Sequence, residues 1–199
     1  MDILKIVFGR KKVAADVEPA EPQEDRLKLV RRAAFHEAGH LLVAVRLSVK
    51  ILRNIGICID DCGRGYAATC LRHNPSDDFP VPRKIEVKVL LAGRIAEKQF
   101  DPKSSGNSAK GDENRIRELQ AEDPNLSNLT PLEEASQKLI KADWVVIKRL
   151  AERLLMKKLQ PRLEREPWTE CEFARYLSGD EISEVLPEAS GLLVGGVKD

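Results

Sequence analysis

The spacing of the histidines restricts the fold of this chain more strongly than anything else in its sequence. His36 and His40, two of the three histidines among 199 residues, are four residues apart in the segment HEAGH. Four residues advance about 400° around an α-helix, so both imidazoles project from one face, roughly 6 Å apart along the axis. Two ring nitrogens placed in this way can bind one metal ion. The spacing therefore predicts a helix with a metal site on one face.

Glu37 lies next to the first histidine and is directed away from the face that the two imidazoles share. It can therefore reach a metal-bound water without occupying a ligand position. A zinc ion would lower the pKa of that water to about 7 and polarise the carbonyl under attack. Glu37 would take the proton from the water and pass it to the leaving amine. This segment predicts a zinc-dependent hydrolase with one Zn²⁺ per chain; the alternative is a helix with two ordinary histidines and a solvated glutamate.

The flanking residues favour the metal site over that alternative. They are small or apolar, so the helix is expected to be largely buried, where unpaired histidines and a carboxylate would be costly. A tetrahedral hydrolytic site also needs a third protein ligand, with water as the fourth. Spacing does not choose among the candidates, which are His73, Glu97, Asp101, Asp112 and Glu113.

Three segments resemble, in the expected order, the peptidase domain of FtsH-type AAA zinc metalloproteases. They are residues 34–40 (AFHEAGH), 90–98 (LLAGRIAEK) and 108–115 (SAKGDENR). The third resembles that family's segment GASNDLxR, whose aspartate binds zinc, so the resemblance implies Asp112 as the third ligand. The second resembles the family's helix LLGGRAAEE and implies that the carboxylate of Glu97 orients a ligating histidine. On residue type alone, Asp112 could instead cap a helix, and Glu97 could be a solvated or salt-bridged helix residue.

The resemblance implies a zinc-dependent metalloendopeptidase that hydrolyses peptides or unstructured proteins. It covers about residues 26–178, and Gly111 stands where the family has an asparagine. The family's membrane anchor and ATPase module have no counterpart in the sequence, which lacks a GxxxxGK(S/T) phosphate-binding loop. We therefore expect an ATP-independent, stand-alone peptidase domain over residues 25–180, an N-terminal extension and linker over 1–24, and a C-terminal tail over 181–199.

Several alternatives stay open at the level of sequence. The related family forms ring hexamers that are held partly by the ATPase, so a homo-oligomer, a monomer and a complex with an unidentified partner protein are all compatible with this chain. A non-catalytic zinc-binding interaction module derived from the peptidase fold is the main competing function, although such a module would not need Glu37. A third possibility is a different zincin hydrolase with Glu97 as a ligand.

A short segment of mostly small residues is expected to bind the substrate. Gly65, Tyr66, Ala67 and Ala68 resemble the start of the strand that lies beside the active site in the same family. An edge strand can hold an extended peptide by main-chain hydrogen bonds, a mode that tolerates many sequences. The alternative is an ordinary hairpin strand.

The cysteines raise the question of a second metal site. Cys58, Cys62 and Cys70, together with His73, could bind a structural ion, but their spacing is not that of a standard zinc knuckle. Four cysteines are too few for a disulfide scaffold in a chain of this length. Reduced thiols and a cytoplasmic location are expected, because the N-terminus also lacks the order of a secretory signal.

Periodicity and composition predict the fold class. Apolar residues at helical spacing, with capping signals, predict helices over 25–47, 83–100, 112–120, 130–159 and 169–179, and strands are expected within 49–72. The result is a mainly α, zincin-like α+β fold with a small β-hairpin or sheet near the active-site helix. A net charge of +1 gives no electrostatic basis for nucleic-acid binding. No run approaches about 18 apolar residues, so no transmembrane segment is expected.

Overall fold

The computed structural model describes six stretches of the chain, residues 23–53, 56–60, 62–67, 81–105, 109–161 and 173–194. These stretches form a mainly helical fold with a small β part, which confirms the predicted fold class. None of the helices within them has the length and apolar character that crossing a membrane requires.

Six α-helices make up most of the described structure. In chain order they are α1 (Gln23–Arg46), α2 (Arg83–Phe100), α3 (Lys110–Glu122), α4 (Thr130–Ala142), α5 (Trp144–Met156) and α6 (Gly179–Val185). Two short 3₁₀ helices, Pro124–Leu126 and Pro187–Leu192, follow α3 and α6. The helices predicted over 25–47, 83–100 and 112–120 are confirmed, with ends that differ by two residues at most.

Four of the six strands in the described stretches form one sheet. The strands are β1 (Ile51–Leu52), β2 (Ile57–Asp60), β3 (Gly65–Ala67), β4 (Gln160–Pro161), β5 (Phe173–Leu177) and β6 (Leu193–Val194). The sheet has the order β3-β2-β5-β4 with antiparallel neighbours, so β3 lies at one edge. β1 and β6 pair separately in parallel. The hairpin expected within 49–72 is confirmed as β2 and β3, while residues 68–72 lie outside the described stretches.

Helix α1 is the centre of the core, since residues 33–45 are buried without exception. It packs against α2, α5 and β2. Gly39 permits a close approach to α2: a Cβ at this position would lie 2.6 Å from the Cβ of Ala96 and 2.8 Å from the carbonyl oxygen of Ala92. The two helices therefore cross closely here, which directs His36 and His40 toward α2.

The helix expected over residues 130–159 is two helices, so this prediction is wrong. α4 ends at Ala142 and α5 begins at Trp144, with Asp143 between them in a non-helical conformation (φ −109°, ψ 23°). The carboxylate of Asp143 accepts a hydrogen bond of 2.7 Å from Arg46 at the end of α1. A continuous helix of this length would extend about 45 Å, whereas the break lets α4 pack on α2 and α5 pack on α1.

The segment before α6 is a strand where a helix was expected. β5 pairs with β2 and β4, long-range partners that local capping signals do not reveal. The capping box predicted at Thr169 lies outside the described residues. A different capping box opens α6, in which the amide of Glu181 donates to the hydroxyl of Ser178, and the amide of Ser178 donates to the Glu181 carboxylate.

The prediction of a C-terminal tail over residues 181–199 is wrong for the part of it that ends at Val194. Ile182, Leu186 and Ala189 are buried in the core, and β6 pairs with β1. The packed structure therefore continues past the expected boundary. Residues 195–199 lie outside the described stretches, as does the expected N-terminal extension up to residue 22.

Candidate metal centre

Three side chains from two helices converge on one point. His36 and His40 extend from α1, and Asp112 extends from the first turn of α3. The Nε2 atoms of the histidines are 2.9 Å apart, and Oδ2 of Asp112 lies 3.1 Å from Nε2 of His36 and 3.2 Å from Nε2 of His40. Zinc bonds of about 2.0–2.1 Å in a tetrahedron place ligand atoms about 3.3 Å apart. The three atoms are thus spaced closely enough to share one ion.

The hydrogen bonds behind each imidazole indicate which ring nitrogens face the centre as acceptors. Nδ1 of His40 lies 2.7 Å from the carbonyl oxygen of Val89, and Nδ1 of His36 lies 3.3 Å from Oε2 of Glu97. A carbonyl and a carboxylate both accept, so we assign the proton of each neutral ring to Nδ1. Two Nε2 lone pairs and the carboxylate of Asp112 then face one another. With both rings neutral, three acceptors face one another, an arrangement that could hold a metal ion; without a metal, a proton on one ring can bridge them instead.

A glycine on the facing helix leaves space at this point. Gly93 lies in α2, and a Cβ there would be 2.4 Å from Nε2 of His40 and 2.6 Å from Nε2 of His36. Any larger residue would fill the position toward which the donors converge. Glycine inside a helix is about 1 kcal/mol less favourable than alanine, and the close approach of the imidazoles explains its presence. Two imidazoles and a carboxylate suit zinc and also other divalent transition metals such as iron.

Glu97 contacts His36 from behind and does not reach the converging atoms. Its side chain is buried, and its second oxygen, Oε1, accepts a hydrogen bond from the hydroxyl of Ser104. A carboxylate in this position fixes the tautomer and orientation of a metal-binding histidine. Ser104 is a supporting residue that the sequence did not reveal, because nothing local marks it as the partner of a side chain seven residues earlier.

Two of the other candidates for the third ligand lie elsewhere. The carboxylate of Asp101 accepts a hydrogen bond from Arg32. Glu113 pairs with Arg94, 3.6 Å away. Neither carboxylate belongs to the converging group, and His73 lies outside the described residues.

Glu37 lies beside the centre without joining the three donors. It is only 5% exposed, and it faces β3, where a Cβ on Gly65 would lie 2.9 Å from its Cγ. Burial raises the pKa of the Glu37 carboxyl, while His36, His40 and the backbone amide of Ala67 oppose the shift. A buried carboxylate with a raised pKa is suited to accept and return a proton.

Among the described strands, β3 has a neighbour only on the side of β2. Gly65, Tyr66 and Ala67 form it, whereas Ala68, the fourth residue expected to bind substrate, lies outside the described residues. The amide of Ala67 interacts with Glu37, which places this edge next to the candidate base. Binding of a peptide along it stays a prediction.

A cavity of about 350 Å³ adjoins the centre between α2 and α3. Apolar side chains form half of its wall, and the other half is polar or charged: Asp112, Arg94, Glu113, Arg117 and Gln120. The cavity therefore offers a space of mixed polar and apolar lining directly beside one of the three donors.

Two of the cysteines considered for a second metal site have other surroundings. Cys58 is a buried thiol that packs with Tyr176. Cys62 is disulfide-bonded, and its partner lies outside the described residues, as do Cys70 and His73. The expectation of reduced thiols is therefore wrong for Cys62, whose sulfur cannot act as a thiolate ligand in this state.

The chain matches none of the protein-family models, and none of the curated proteins, with which it was compared. The resemblance to FtsH-type peptidases accordingly stays a prediction from three short segments. The functional conclusion depends on the chemistry of the centre itself.

Zinc affinity should depend on pH because the metal-free centre holds a proton. Burial by itself lowers the pKa of His36, but hydrogen bonds to Asp112 and Glu97 outweigh burial and raise the pKa above its ordinary value. Burial would raise the pKa of Asp112, yet the two imidazoles hold it well below its usual range. At neutral pH, His36 is therefore protonated and Asp112 is not. The proton on His36 must leave before its ring can bind a metal, so affinity rises with pH.

We expect about tenfold tighter zinc binding at pH 8 than at pH 7, corresponding to one displaced proton. A histidine with an ordinary pKa near 6.5 would give much less change over this interval, since it is already mostly neutral. Competition with a chromophoric chelator at the two pH values measures the difference. Equal dissociation constants at pH 7 and pH 8 would contradict a proton held on His36.

Proposed function

We propose that the protein is a zinc metalloendopeptidase that hydrolyses peptide bonds in peptides or unstructured proteins without using ATP. The observation that carries the proposal is the convergence of three donor atoms beside a buried carboxylate that is not one of them. The donors belong to His36, His40 and Asp112, and the carboxylate belongs to Glu37. A site that only held a metal would not need this additional carboxylate.

The three donors would hold the ion, and the groups behind them would keep the donors in place. When bound, zinc polarises a carbonyl and lowers the pKa of a water molecule. The carbonyl oxygen of Val89 and the carboxylate of Glu97 orient the two imidazoles through their Nδ1 atoms. Such supporting hydrogen bonds strengthen metal binding and restrict the rotation of the rings.

Glu37 would carry the proton during hydrolysis. Its burial raises the pKa of the carboxyl, which makes the carboxylate a stronger base than a solvated glutamate. It would accept a proton from the attacking water and donate it to the nitrogen of the leaving amine. Because the amide of Ala67 also interacts with this carboxylate, the edge strand would help to orient the base.

The proposed substrate is an extended chain because the edge of β3 that has no partner among the described strands would pair with extended backbone. Main-chain pairing tolerates many side chains, as a general peptidase requires. The cavity beside Asp112 would accept a substrate side chain close to the scissile bond, and its mixed lining does not restrict that side chain to apolar ones. A homo-oligomer, an unidentified partner protein and a cytoplasmic location stay predictions from the sequence.

Degradation of unfolded casein tests the proposed function. The protein is stripped of metal with a chelator and then reconstituted with one equivalent of zinc or, as a control, of magnesium. Mass spectrometry identifies the new peptide termini. We expect cleavage only in the zinc-loaded sample. Full zinc occupancy without any cleavage would instead favour the zinc-binding interaction module.

A further inference from the structure

We propose that Glu86 and Arg115 are positioning residues that hold α3 in the orientation in which Asp112 meets the two histidines. This inference rests on the proposed metal centre and concerns its third ligand. Neither residue touches the converging donor atoms. They would fix the position of Asp112 indirectly, by holding the first turns of α3 in place.

Among the described residues, no side chain caps the start of α3. Ala109 occupies the N-cap position without a side-chain hydrogen bond, and residues 106–108 before it lie outside the described stretches. The buried residues of α3 are Ile116 and Leu119, which pack in an apolar cluster with α2. Apolar contacts are non-directional. They permit small rotations and shifts of α3 that would displace Asp112.

The ion pair between Glu86 and Arg115 restricts the orientation of α3 more than apolar contacts do. Glu86, in the first turn of α2, is only 3% exposed, and its Oε1 accepts a hydrogen bond of 2.8 Å from Nε of Arg115. Its Oε2 has no hydrogen-bond partner among the described residues. A carboxylate buried in this way depends strongly on its cation, because removal of one partner leaves an uncompensated charge. Arg115 is itself 39% exposed and also pairs with Glu118, 3.1 Å away, so its constraint comes from the buried carboxylate of Glu86.

The constraint on Arg115 extends to Asp112 through the helix. Arg115 follows Asp112 by three residues, so the two side chains are neighbours on the helix surface, about 4.5 Å apart along the axis. A slip of α3 by one residue would rotate it by about 100° and move it by about 1.5 Å. That motion would separate Arg115 from Glu86 and withdraw Asp112 from the histidines at the same time.

A second ion pair between the same two helices provides a matched control. Arg83 of α2 and Glu122 of α3 are 3.1 Å apart, and both side chains are partly exposed to solvent. Glu122 is about 15 Å farther along α3 than Asp112. Exposed pairs contribute little to stability. Removing this pair should therefore leave the metal centre unchanged.

The test compares zinc affinity in three proteins by competition with a chromophoric chelator. They are the wild type, the pair variant Glu86→Gln/Arg115→Met and the control variant Arg83→Met/Glu122→Gln. Changing both members of the pair avoids a lone charge at the buried position 86, so the pair variant is expected to fold. We expect about tenfold weaker binding in the pair variant, as for other residues that support metal ligands. The control should keep the affinity of the wild type.

The same pair variant in an Asp112→Ala background separates positioning from a general loss of structure. If Glu86 and Arg115 act through Asp112, removing them weakens zinc binding about tenfold when Asp112 is present and not at all when it is absent. The same loss in both backgrounds would overturn the inference. Wild-type affinity in the pair variant would overturn it as well.

Arg115→Lys keeps the inference testable if the pair variant does not fold. Lysine preserves the positive charge but not the planar fork of the guanidinium, so the zinc affinity of this variant should be lower than that of the wild type. In that case, wild-type affinity in Arg115→Lys would contradict the inference. A wild-type protein that binds no zinc would overturn the proposed function and the inference together, whereas zinc binding that is insensitive to these substitutions would overturn the inference alone.

Discussion

Replacement of Gly93 by alanine should abolish tight zinc binding without unfolding the protein. The added Cβ would lie 2.4 Å from Nε2 of His40 and 2.6 Å from Nε2 of His36, in the space between the donors. The buried imidazoles are held from behind by Glu97 and Val89 and so cannot turn aside freely. We expect zinc affinity to fall by more than the roughly 10–100-fold that follows the loss of a supporting residue.

Gly111→Ala is the matched control for this prediction. Gly111 lies in α3 next to Asp112, and a Cβ there would meet nothing within 4 Å. The control should keep its zinc affinity and gain roughly 0.5–1 kcal/mol in unfolding free energy, because alanine is the better helix former. Calorimetric zinc titration and thermal unfolding of both variants measure the two effects. Undiminished zinc binding by Gly93→Ala would mean that the donors do not enclose an ion.

Glu37→Gln should lower the rate of peptide hydrolysis by about 10²–10⁴-fold, the usual contribution of general acid–base catalysis. Glutamine has nearly the same shape, and its oxygen can still accept a hydrogen bond from Ala67, but it cannot take up the proton of the attacking water. Zinc binding should be retained, because residue 37 contributes none of the three converging atoms. Casein cleavage and zinc content, measured on the same preparation, separate the two effects.

Glu113→Gln removes a negative charge near the centre without touching the proposed base. The side chain of Glu113 is about half exposed and pairs with Arg94, and its neighbour Asp112 keeps its own carboxylate. This control should cleave at the rate of the wild type. Equal losses of activity in Glu37→Gln and Glu113→Gln would indicate a general electrostatic effect. Full activity of Glu37→Gln would show that Glu37 is not the base.

The part of the centre that lies within one helix could be predicted from the sequence alone. His36, Glu37 and His40 share one helical turn, so their relative placement follows from helix geometry. Asp112 is 76 residues away from His36, and spacing left it as one of several carboxylates. Its place beside the histidines depends on how α3 packs on α2, which only the resemblance to a known family had indicated.

The resemblance indicated Glu97, and only one of the other supporting residues carried a signal in the sequence. Gly93 carried a signal, since glycine inside a predicted helix is unfavourable and indicates a close approach. Ser104 and Glu86 carried none, because their partners belong to other turns or other helices. The break at Asp143 and the strand β5 were missed for a similar reason. Both depend on contacts with distant parts of the chain, whereas periodicity and capping signals are local.

Crystallographic anomalous scattering at the zinc absorption edge tests the central claim most directly. Crystals of zinc-loaded protein should show one anomalous peak at about 2.0–2.1 Å from Nε2 of His36, Nε2 of His40 and a carboxylate oxygen of Asp112. Glu97 should remain behind His36, outside bonding distance of the ion. A zinc-loaded crystal without a peak at this position, or with a peak bound by Glu97 in place of Asp112, would contradict the account.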